Sequence, residues 1–365
     1  MQIIDVRTTP EAEIITTTCD VLEKGGLILF PTETTYGAGV DATNPAAVEK
    51  LLAYKSRREG KPLSIAVKDK NTASEYVIVN SQAEHIIDQF LPGPVTVVCK
   101  DKGKTAPGVA SEFGTIGIRI PDHQLLLAIL EAYGKPVTAT SANASGKRRP
   151  YAIPHVLQHL SGTQKENIDL ILDAGELPPN PPSTVIDTTL ETPITLRQGT
   201  PRFTDESKQF AKTHSEQETM DLAGKLVLKH WNDVQATGLI LTLDGPLGVG
   251  KTVFTKGIAQ FLTISEIITS PTYSYVEEYA YTRHTTSGML YHADLWKVAG
   301  DDEVSRLALK QLVAPNNILV VEWSSIAQEY LRHLSEEKKS PLVALTIEQA
   351  GETRTLHIAE KSYEK

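Results

Sequence analysis

The residues with the clearest chemical use form one glycine-rich stretch, 245–252, which reads Gly-Pro-Leu-Gly-Val-Gly-Lys-Thr. Such a stretch turns backbone N–H groups toward phosphate oxygens, and a helix that follows adds the positive end of its dipole. In this pattern Lys251 reaches the β- and γ-phosphates, and the Thr252 hydroxyl is a ligand for Mg²⁺. The glycines that shape the turn are Gly245, Gly248 and Gly250. The spacing therefore predicts a site for a nucleoside triphosphate with Mg²⁺ as cofactor.

Two acidic residues further along follow short apolar runs that are typical of buried strands. These residues are Asp294 and Glu322, and Trp323 comes directly after the second. A P-loop fold places its metal-binding and water-orienting carboxylates at the ends of such strands. We therefore expect Asp294 and Glu322 to act beside Thr252 as catalytic and metal-binding groups. For Asp294 alone, a carboxylate that caps the next helix is an equally good interpretation.

A basic string follows a predicted helix in the first half of the chain. Its cations are Lys55, Arg57, Arg58 and Lys61. Together they could hold several anionic oxygens. A solvated face at a helix C-terminus, where cations are favoured in any case, is the alternative.

A polar string, 140–146, follows a predicted strand in the same half. It begins Thr140-Ser141-Ala142-Asn143, and its hydroxyls and amide suit hydrogen bonding to an anionic or polar ligand. The alternative is a simple helix N-cap formed by Ser141 or Asn143. Either string alone is a weak indication of a site.

Composition limits the class of protein. The chain has 365 residues, enough for two domains that each bury a core, and its formal net charge is −9. That charge argues against bulk electrostatic adhesion to nucleic acid, although it allows a locally basic cleft. Cys19 and Cys99 have neither metal-ligand nor disulfide-framework spacing, as expected in a reducing compartment. Since no signal pattern or membrane-length apolar run occurs, we expect a cytoplasmic protein without a membrane partner.

The elements that must position these residues indicate an α/β protein. In the first half, strands and helices alternate without a strict βαβ rhythm, which predicts a twisted, largely mixed sheet surrounded by helices. In the second half, strand 238–243, the glycine-rich turn and helix 253–262 predict a P-loop α/β domain. We predict a first domain over 1–205, a linker over 206–214 that is partly helical, and a second domain over 215–365.

Several segments of the first half together resemble the YrdC family of threonylcarbamoyl-AMP synthases. They are Lys-x-Arg at 55 and 57, Ser-x-Asn at 141 and 143, PTETTYG at 31–37, LPGPVT at 91–96 and STVID at 183–187. The resemblance covers about residues 5–205. It implies a twisted sheet with a concave basic cleft, and a reaction in which L-threonine, bicarbonate and ATP give threonylcarbamoyl-AMP and pyrophosphate.

The resemblance also implies roles for individual residues, with Lys55, Arg57, Ser141 and Asn143 as the catalytic set. Lys55 and Arg57 hold phosphate and carbamate oxygens, while Ser141 and Asn143 hold the nucleotide and the threonyl group. The remaining substrate- and ATP-binding positions are Thr32, Thr35 and Tyr36 on the threonine side, Thr140 in the polar string, Arg119, Ser183 and Arg197 at the phosphates or ribose, and Lys61 on the cationic rim.

Four segments of the second half resemble the TsaE (YjeE) ATPases. They are the glycine-rich stretch, SPTY at 270–273, HADLW at 292–296 and VEW at 321–323. The resemblance covers about residues 213–360. It implies a small P-loop ATPase in which Lys251 and Thr252 bind phosphates and Mg²⁺, Asp294 and Glu322 act in the Walker-B manner, and Trp323 packs beside the site. It also implies a partner, the TsaB–TsaD complex, which transfers the threonylcarbamoyl group to tRNA.

The two resemblances together predict a fusion of two proteins of tRNA threonylcarbamoyladenosine (t6A) biosynthesis. ATP is a substrate of both halves, and tRNA is reached indirectly through the transferase complex. One alternative is an RNA-binding module with a P-loop switch domain, whose binding would weaken steeply with salt. A second is a P-loop kinase with a regulatory domain, which would transfer phosphate to a small acceptor instead of hydrolysing ATP.

Overall fold

The computed structural model describes residues 1–55, 62–143, 149–200, 209–271, 275–298 and 301–363. The chain forms two compact units. The first comprises Met1–Thr189 and Thr195–Phe203, and the second comprises Leu190–Ile194 and Thr204–Lys365. Within the described residues, no helix combines the length and the apolar character that crossing a bilayer requires.

The first unit alternates short strands and helices. Its elements are β1 (Gln2–Asp5), α1 (Glu11–Glu23), β2 (Leu27–Phe30), β3 (Gly37–Gly39), α2 (Pro45–Lys55), β4 (Ser64–Ala66), α3 (Lys70–Tyr76), β5 (Val77–Ile78), α4 (Ser81–Phe90), β6 (Val95–Asp101), β7 (Thr115–Arg119), α5 (Gln124–Tyr133), β8 (Val137–Thr138), β9 (Thr140–Ser141), α6 (Ile153–Leu157), α7 (Gly162–Glu166), β10 (Ile168–Asp173), β11 (Thr184–Asp187) and β12 (Ile194–Arg197).

These strands form two mixed sheets, where the sequence had predicted one. The first sheet has the order β1-β10-β2-β3-β9; the second has the order β12-β11-β6-β7-β4-β8, with β5 paired to β6. Strand β2 is buried on both faces, so its alternate residues enter different cores. Leu27 and Leu29 pack in a core that also takes residues from the second sheet, while Ile28 and Phe30 pack against α1 and α5. A strand with two apolar faces is stable only between two packed layers.

The first sheet brings the PTETTYG segment beside the polar string. Strand β3 runs antiparallel to β9, with Gly37 opposite Ser141 and Ala38 opposite Thr140. Two further backbone bonds extend this pairing: Ala142 N–H donates to Tyr36 O at 2.9 Å, and Tyr36 N–H donates to Pro150 O at 2.8 Å. Segments about a hundred residues apart in the sequence therefore share one edge of the sheet.

The second unit contains a single seven-stranded sheet with helices around it. Its elements are β13 (Gln209–Thr213), α8 (Glu216–Lys229), α9 (Trp231–Thr237), β14 (Leu239–Asp244), α10 (Lys251–Phe261), β15 (Val276–Arg283), β16 (Thr286–Asp294), α11 (Asp301–Arg306), α12 (Leu309–Leu312), β17 (Asn317–Glu322), a 3₁₀ turn η1 (Ser324–Ala327), α13 (Gln328–Lys338), β18 (Leu342–Ala350) and β19 (Thr353–Lys361).

The strand order of this sheet is β13-β19-β18-β14-β17-β16-β15. Its centre is parallel, because β14 pairs in parallel with both β17 and β18, and β17 with β16. Antiparallel pairing with β15 on one side and β19 and β13 on the other completes the sheet. The carboxyl ends of β14, β16 and β17 therefore lie at one edge. Strand β14 ends directly before the glycine-rich turn, and β16 and β17 end at the two predicted acidic residues, Asp294 and Glu322.

The predicted linker is wrong over Gln209–Thr213, which is strand β13 and runs antiparallel to β19. Alternate residues of this strand are buried, including Ala211 and Thr213, and the Thr213 hydroxyl lies 2.8 Å from that of Thr219 in α8. An edge strand tolerates polar residues on its outer face, so its weak apolar pattern resembles that of a linker. Residues 206–208 of the predicted linker lie outside the described residues.

Candidate functional sites

Lys55, the last residue of α2, lies against the polar string 140–143. Its Nζ donates to Ser141 O at 2.7 Å and to Asn143 O at 2.8 Å. The neighbouring Tyr54 hydroxyl donates to Ala142 O, which fixes the same turn. The apolar face of α2 is buried up to Tyr54, and this packing carries its C-terminal turn to the polar string. The two strings that were weak indications separately thus meet at one place.

Desolvation lowers the pKa of Lys55 to about 8. An ammonium group has three N–H donors. Two of them bind carbonyl oxygens of the polar string. Among the described residues the third has no acceptor, so Lys55 can present a fixed positive charge to an anionic substrate.

In the PTETTYG segment, Thr32 organises the turn. Its Oγ1 accepts from Thr34 N at 3.1 Å and from Thr35 N at 3.2 Å, and donates to Thr35 O at 2.7 Å. All three threonines are buried. The predicted threonine-side residues Thr32 and Thr35 therefore belong to one rigid turn.

Tyr36 is fully buried, and its hydroxyl is used within the protein. It donates to Gly175 O at 2.8 Å and accepts from Ala174 N at 2.8 Å. Burial raises the pKa of this phenol to about 12. The Tyr36 side chain thus joins its segment to the loop after β10, and its predicted contact with threonine stays a prediction.

A buried ion pair links the PTETTYG segment to the second sheet of this unit. Arg119 Nη2 donates to Glu33 Oε1, and the two side chains are only 11% and 13% exposed. Arg119 Nε and Glu33 Oε2 are both buried and have no hydrogen-bond partner within the described residues. The Asn180 side-chain amide donates to Glu33 O at 2.8 Å and so closes the turn from the other side. Such a pair holds unused hydrogen-bonding capacity in a dry setting, which suits recognition of a charged ligand.

Arg197 and Ser183 form the next group along. Arg197 donates through Nε to Ser183 O at 3.0 Å and through Nη2 to Ser183 Oγ at 2.8 Å, and Ser183 Oγ lies 2.9 Å from Thr96 Oγ1. Desolvation, followed by repulsion from Arg119 and Arg149, lowers the pKa of Arg197. Three arginines therefore contribute positive potential to this group.

The predicted site residues of the first unit form two groups joined by the segment that runs from Glu33 to Ala38. One group contains Lys55, Thr140, Ser141 and Asn143, and the other contains Arg119, Ser183 and Arg197. Arg57, Arg58 and Lys61 lie outside the described residues.

The glycine-rich turn of the second unit needs its glycines. Gly245, Gly248 and Gly250 have φ of 143°, 79° and 107°, in the region that side chains disfavour. A Cβ on Gly245 would lie 2.3 Å from Ile347 O, and one on Gly250 would lie 2.9 Å from Arg354 Nε. Helix α10 begins directly after the turn, two residues before the predicted start.

Lys251 closes the turn from inside. Its Nζ donates to Gly245 O at 2.8 Å and to Pro246 O at 2.9 Å, and lies 3.9 Å from the centre of the Trp323 ring. Desolvation lowers the pKa of Lys251, while the charges of Glu322, Asp294 and Asp244 oppose that change. The P-loop lysine is thus surrounded by carboxylates, and the predicted position of Trp323 beside it is observed.

The carboxylates and the P-loop hydroxyl also contact one another. Thr252 Oγ1 donates to Glu322 Oε1 at 3.0 Å. Asp294 accepts from Ser270 Oγ at 2.5 Å and from Trp296 N at 2.9 Å, so it does cap the turn that follows β16. This turn is not the next helix, since α11 begins only at Asp301, so the interpretation of Asp294 as a helix cap is not confirmed. Thr272 and Tyr273, in the SPTY segment, lie outside the described residues.

The side-chain oxygen atoms at this edge of the sheet are suitable ligands for a hard divalent cation. Mg²⁺ prefers oxygen ligands, and it is usually bound by one or two protein groups together with phosphates and water. The Thr252 hydroxyl and the Glu322 carboxylate are such a pair, at hydrogen-bond distance from each other. Across the described residues, no cluster of three or more His, Cys, Asp or Glu side chains has metal-site spacing.

Three residues of these sites were not predicted from the sequence. Glu33 stands inside a noted motif, but nothing local indicated Arg119 as its partner. Asp244 ends β14 and accepts from Ser324 Oγ and from Ser325 N, the latter at 3.1 Å. His292 lies two residues before Asp294, and strand alternation could have placed both side chains on one face of the sheet.

Two family models match the chain. The Sua5/YciO/YrdC model, described as "Telomere recombination", matches residues 20–199, and the TsaE model, described as "Threonylcarbamoyl adenosine biosynthesis protein TsaE", matches residues 213–356. Both ranges agree with the segments that carry the predicted sites.

Individual relatives match the first half. A candidate threonylcarbamoyl-AMP synthase of Methanocaldococcus jannaschii is 38% identical over 175 residues, which is 48% of this chain and 80% of that protein. The threonylcarbamoyl-AMP synthase of Pyrococcus abyssi is 33% identical over 201 residues, 54% of this chain and 57% of that protein. The crystal structure of Pyrococcus abyssi Sua5 complexed with L-threonine is similar in fold, with a TM-score of 0.51 at 21% identity over 94% of this chain and 99% of that one.

Proposed function

We propose a function from a premise that the comparisons establish: this chain belongs to the Sua5/YciO/YrdC family, and its second half is a TsaE domain. The first half makes threonylcarbamoyl-AMP from L-threonine, bicarbonate and ATP. The second half hydrolyses ATP in support of the transferase complex that consumes this product. The chain is thus a bifunctional enzyme of tRNA threonylcarbamoyladenosine biosynthesis.

In the first reaction, the threonine nitrogen attacks bicarbonate to give a carbamate and water. A carbamate oxygen then attacks the α-phosphorus of ATP, and pyrophosphate leaves. All reactants are anionic or zwitterionic, so the site needs fixed cations and hydrogen-bond donors more than it needs a strong base.

The residues of the first unit supply those groups. Lys55 neutralises phosphate or carbamate oxygens from its position on the carbonyls of Ser141 and Asn143. Arg119 and Arg197 add positive charge, and Thr32 and Thr35 shape the wall that receives threonine. Arg57 is a further ligand of phosphate and carbamate oxygens, and Lys61 extends the cationic rim. Ser183 contacts the phosphates or ribose, and Thr140 contacts the substrate or ATP.

In the second unit, the glycine-rich turn and Lys251 bind the phosphates of ATP. The Thr252 hydroxyl and the Glu322 carboxylate would hold Mg²⁺, and Asp294 would stand beside them. When bound, this ion neutralises charge on the β- and γ-phosphates. Glu322 or Asp294 orients the attacking water, and Trp323 packs over the Lys251 ammonium.

The partners of the second half are TsaB and TsaD, and tRNA is reached through them. We place the reaction in the cytoplasm, where ATP and tRNA are available. The net charge of −9 argues against direct adhesion of the whole chain to RNA.

The observation that carries the proposal is the meeting of Lys55 with Ser141 and Asn143, the motif residues of a family of adenylate-forming enzymes. The test combines the full chain with TsaB, TsaD, tRNA, ATP and isotopically labelled bicarbonate. We expect the label on tRNA when L-threonine is present, and none when L-serine replaces it or when the chain carries Lys55→Ala.

A contrary result would be tRNA that the chain retains on a filter in a strongly salt-dependent way and that stays unlabelled under every condition. The chain would then be an RNA-binding module with a P-loop switch, because phosphate contacts alone produce that salt dependence.

A further inference from the structure

His292 is a buried histidine directly behind the predicted metal-binding carboxylate. It lies in β16, which pairs in parallel with β17 so that Asp294 is opposite Glu322. The side chain of His292 is fully buried. Its Nε2 lies 2.8 Å from Glu322 Oε1.

A carboxylate that binds a metal ion can only accept a hydrogen bond, so in the proposed site His292 Nε2 is the donor of this contact. The other ring nitrogen, Nδ1, is buried and has no hydrogen-bond partner within the described residues. An N–H at that position would be a buried unsatisfied donor, which is costly. The surroundings therefore favour the tautomer with hydrogen on Nε2 and a lone pair on Nδ1.

One oxygen of Glu322 accepts two hydrogen bonds from opposite sides. His292 Nε2 donates to Oε1 from the sheet, and Thr252 Oγ1 donates to the same atom at 3.0 Å from α10. Because the Thr252 hydrogen points at Glu322, the lone pairs of its hydroxyl oxygen point elsewhere. The hydroxyl and the second carboxylate oxygen are thus oriented by a chain of contacts that begins at His292.

We propose that His292 is a positioning residue of the ATPase site. It holds the Glu322 carboxylate at hydrogen-bond distance from the Thr252 hydroxyl, so that both groups are oriented to bind Mg²⁺-nucleotide. This inference rests on the proposed function of the second half. Removal of a group that hydrogen-bonds to a metal ligand typically lowers metal affinity or activity about 10- to 100-fold. We therefore expect the loss of His292 to weaken binding that depends on Mg²⁺ and to leave binding of free nucleotide unchanged.

The matched variants are His292→Gln and His292→Asn. Both place an amide in the same buried position, so their burial costs are similar. The glutamine amide nitrogen reaches as far as Nε2, whereas the asparagine amide nitrogen corresponds to Nδ1 and points away from Glu322. The exposed His333→Asn, in α13, is the control for an unrelated histidine.

Intrinsic tryptophan fluorescence gives a readout that does not need hydrolysis. The three tryptophans, Trp231, Trp296 and Trp323, all lie in the second half, and Trp323 contacts Lys251. ADP is titrated into the full chain with and without Mg²⁺, and then Mg²⁺ is titrated at fixed ADP. Thermal unfolding, followed by the same signal, shows whether each variant is folded.

We expect His292→Asn to raise the half-saturating Mg²⁺ concentration about 10- to 100-fold, and His292→Gln to stay close to the unmodified chain. Equal Mg²⁺ dependence in both variants would overturn the inference, whether both are normal or both are impaired. If the unmodified chain itself shows no Mg²⁺-dependent binding, the proposed ATPase site fails and this inference fails with it.

A second measurement needs no variant and covers the case in which His292→Asn does not fold. The ring ¹⁵N signals of His292 report which nitrogen carries the hydrogen. We expect hydrogen on Nε2, and a change in these signals when Mg²⁺-ADP binds but not when ADP binds alone. Hydrogen on Nδ1, or signals that do not respond to Mg²⁺, would overturn the proposed role.

Discussion

Both sites hold a lysine through two backbone carbonyls, but they assemble that arrangement differently. Lys251 donates to carbonyls five and six residues away, within one continuous turn. Lys55 donates to carbonyls 86 and 88 residues away, which reach it only because the last turn of α2 lies against the polar string 140–143. The position of Lys55 in the first site therefore depends on tertiary packing of the whole unit. The position of Lys251 in the second site depends mainly on the conformation of one short segment.

The charges around the two lysines also differ. Lys251 faces Glu322, Asp294 and Asp244, whose charges oppose the effect of desolvation on its pKa. For Lys55, desolvation lowers the pKa, and no charge among the described residues opposes it. Carboxylates around Lys251 suit a reaction that uses Mg²⁺, whereas the first site offers a cation to anionic substrates.

The largest effect should come from a change in the backbone of the glycine-rich turn in the second unit. Gly245→Ala places a Cβ 2.3 Å from Ile347 O at a φ of 143°, so the turn must distort. We expect affinity for Mg²⁺-ADP to fall at least about 100-fold, equivalent to nearly 3 kcal/mol. The matched variant is Gly248→Ala, whose Cβ meets open space. Its binding free energy should weaken only by the roughly 1–2 kcal/mol that a left-handed backbone costs a residue with a side chain. Equal losses would mean that the backbone path of the turn does not determine binding.

An effect of similar size is expected in the first unit, where Glu33 and Arg119 form a buried ion pair between segments that are distant in the sequence. Glu33→Gln leaves the Arg119 guanidinium buried without its counter-charge, which should cost about 3 kcal/mol of unfolding free energy. Hydrogen exchange in β6 and β7 should then accelerate about 100-fold, because this exchange follows global opening. Glu131→Gln, which breaks the exposed pair with Lys68, is the control and should cost less than about 1 kcal/mol. Unchanged exchange in Glu33→Gln would show that the pair does not hold this unit together.

A smaller, graded effect should follow from the pKa of Lys55, which is lowered to about 8. The ammonium is charged below that pH and neutral above it. Threonine-dependent pyrophosphate release should therefore fall about tenfold for each pH unit above 8. In Lys55→Arg the guanidinium stays charged, so any remaining activity should lose this decline. The same decline in both proteins would assign it to another group.

The contrast between the sites explains what the sequence could predict. The P-loop site follows from eight contiguous residues, and even the start of α10 was only two residues off. Asp294 and Glu322 follow from strand ends in the same way. The role of His292 was not predicted because it depends on which strand pairs with β16, and no local sequence pattern specifies that pairing.

In the first unit, the sequence supplied the segments but not their contacts. The two strings around Lys55 and Ser141 each have an ordinary explanation, and only the hydrogen bonds from Tyr54 and Lys55 at the end of α2 join them. The Glu33–Arg119 pair spans 86 residues, a separation that residue types cannot resolve. The division into two sheets and the edge strand β13 likewise depend on long-range pairing, which periodicity within one segment does not specify.

The central claim is that the chain carries two ATP-using sites with separate chemistry. The most direct test measures pyrophosphate and orthophosphate release by the full chain with ATP, Mg²⁺, bicarbonate and L-threonine, beside Lys55→Ala and Lys251→Ala. We predict pyrophosphate release that requires threonine and bicarbonate, is lost in Lys55→Ala and survives in Lys251→Ala. Release of orthophosphate alone, independent of threonine and lost in Lys251→Ala, would contradict the synthase role of the first half.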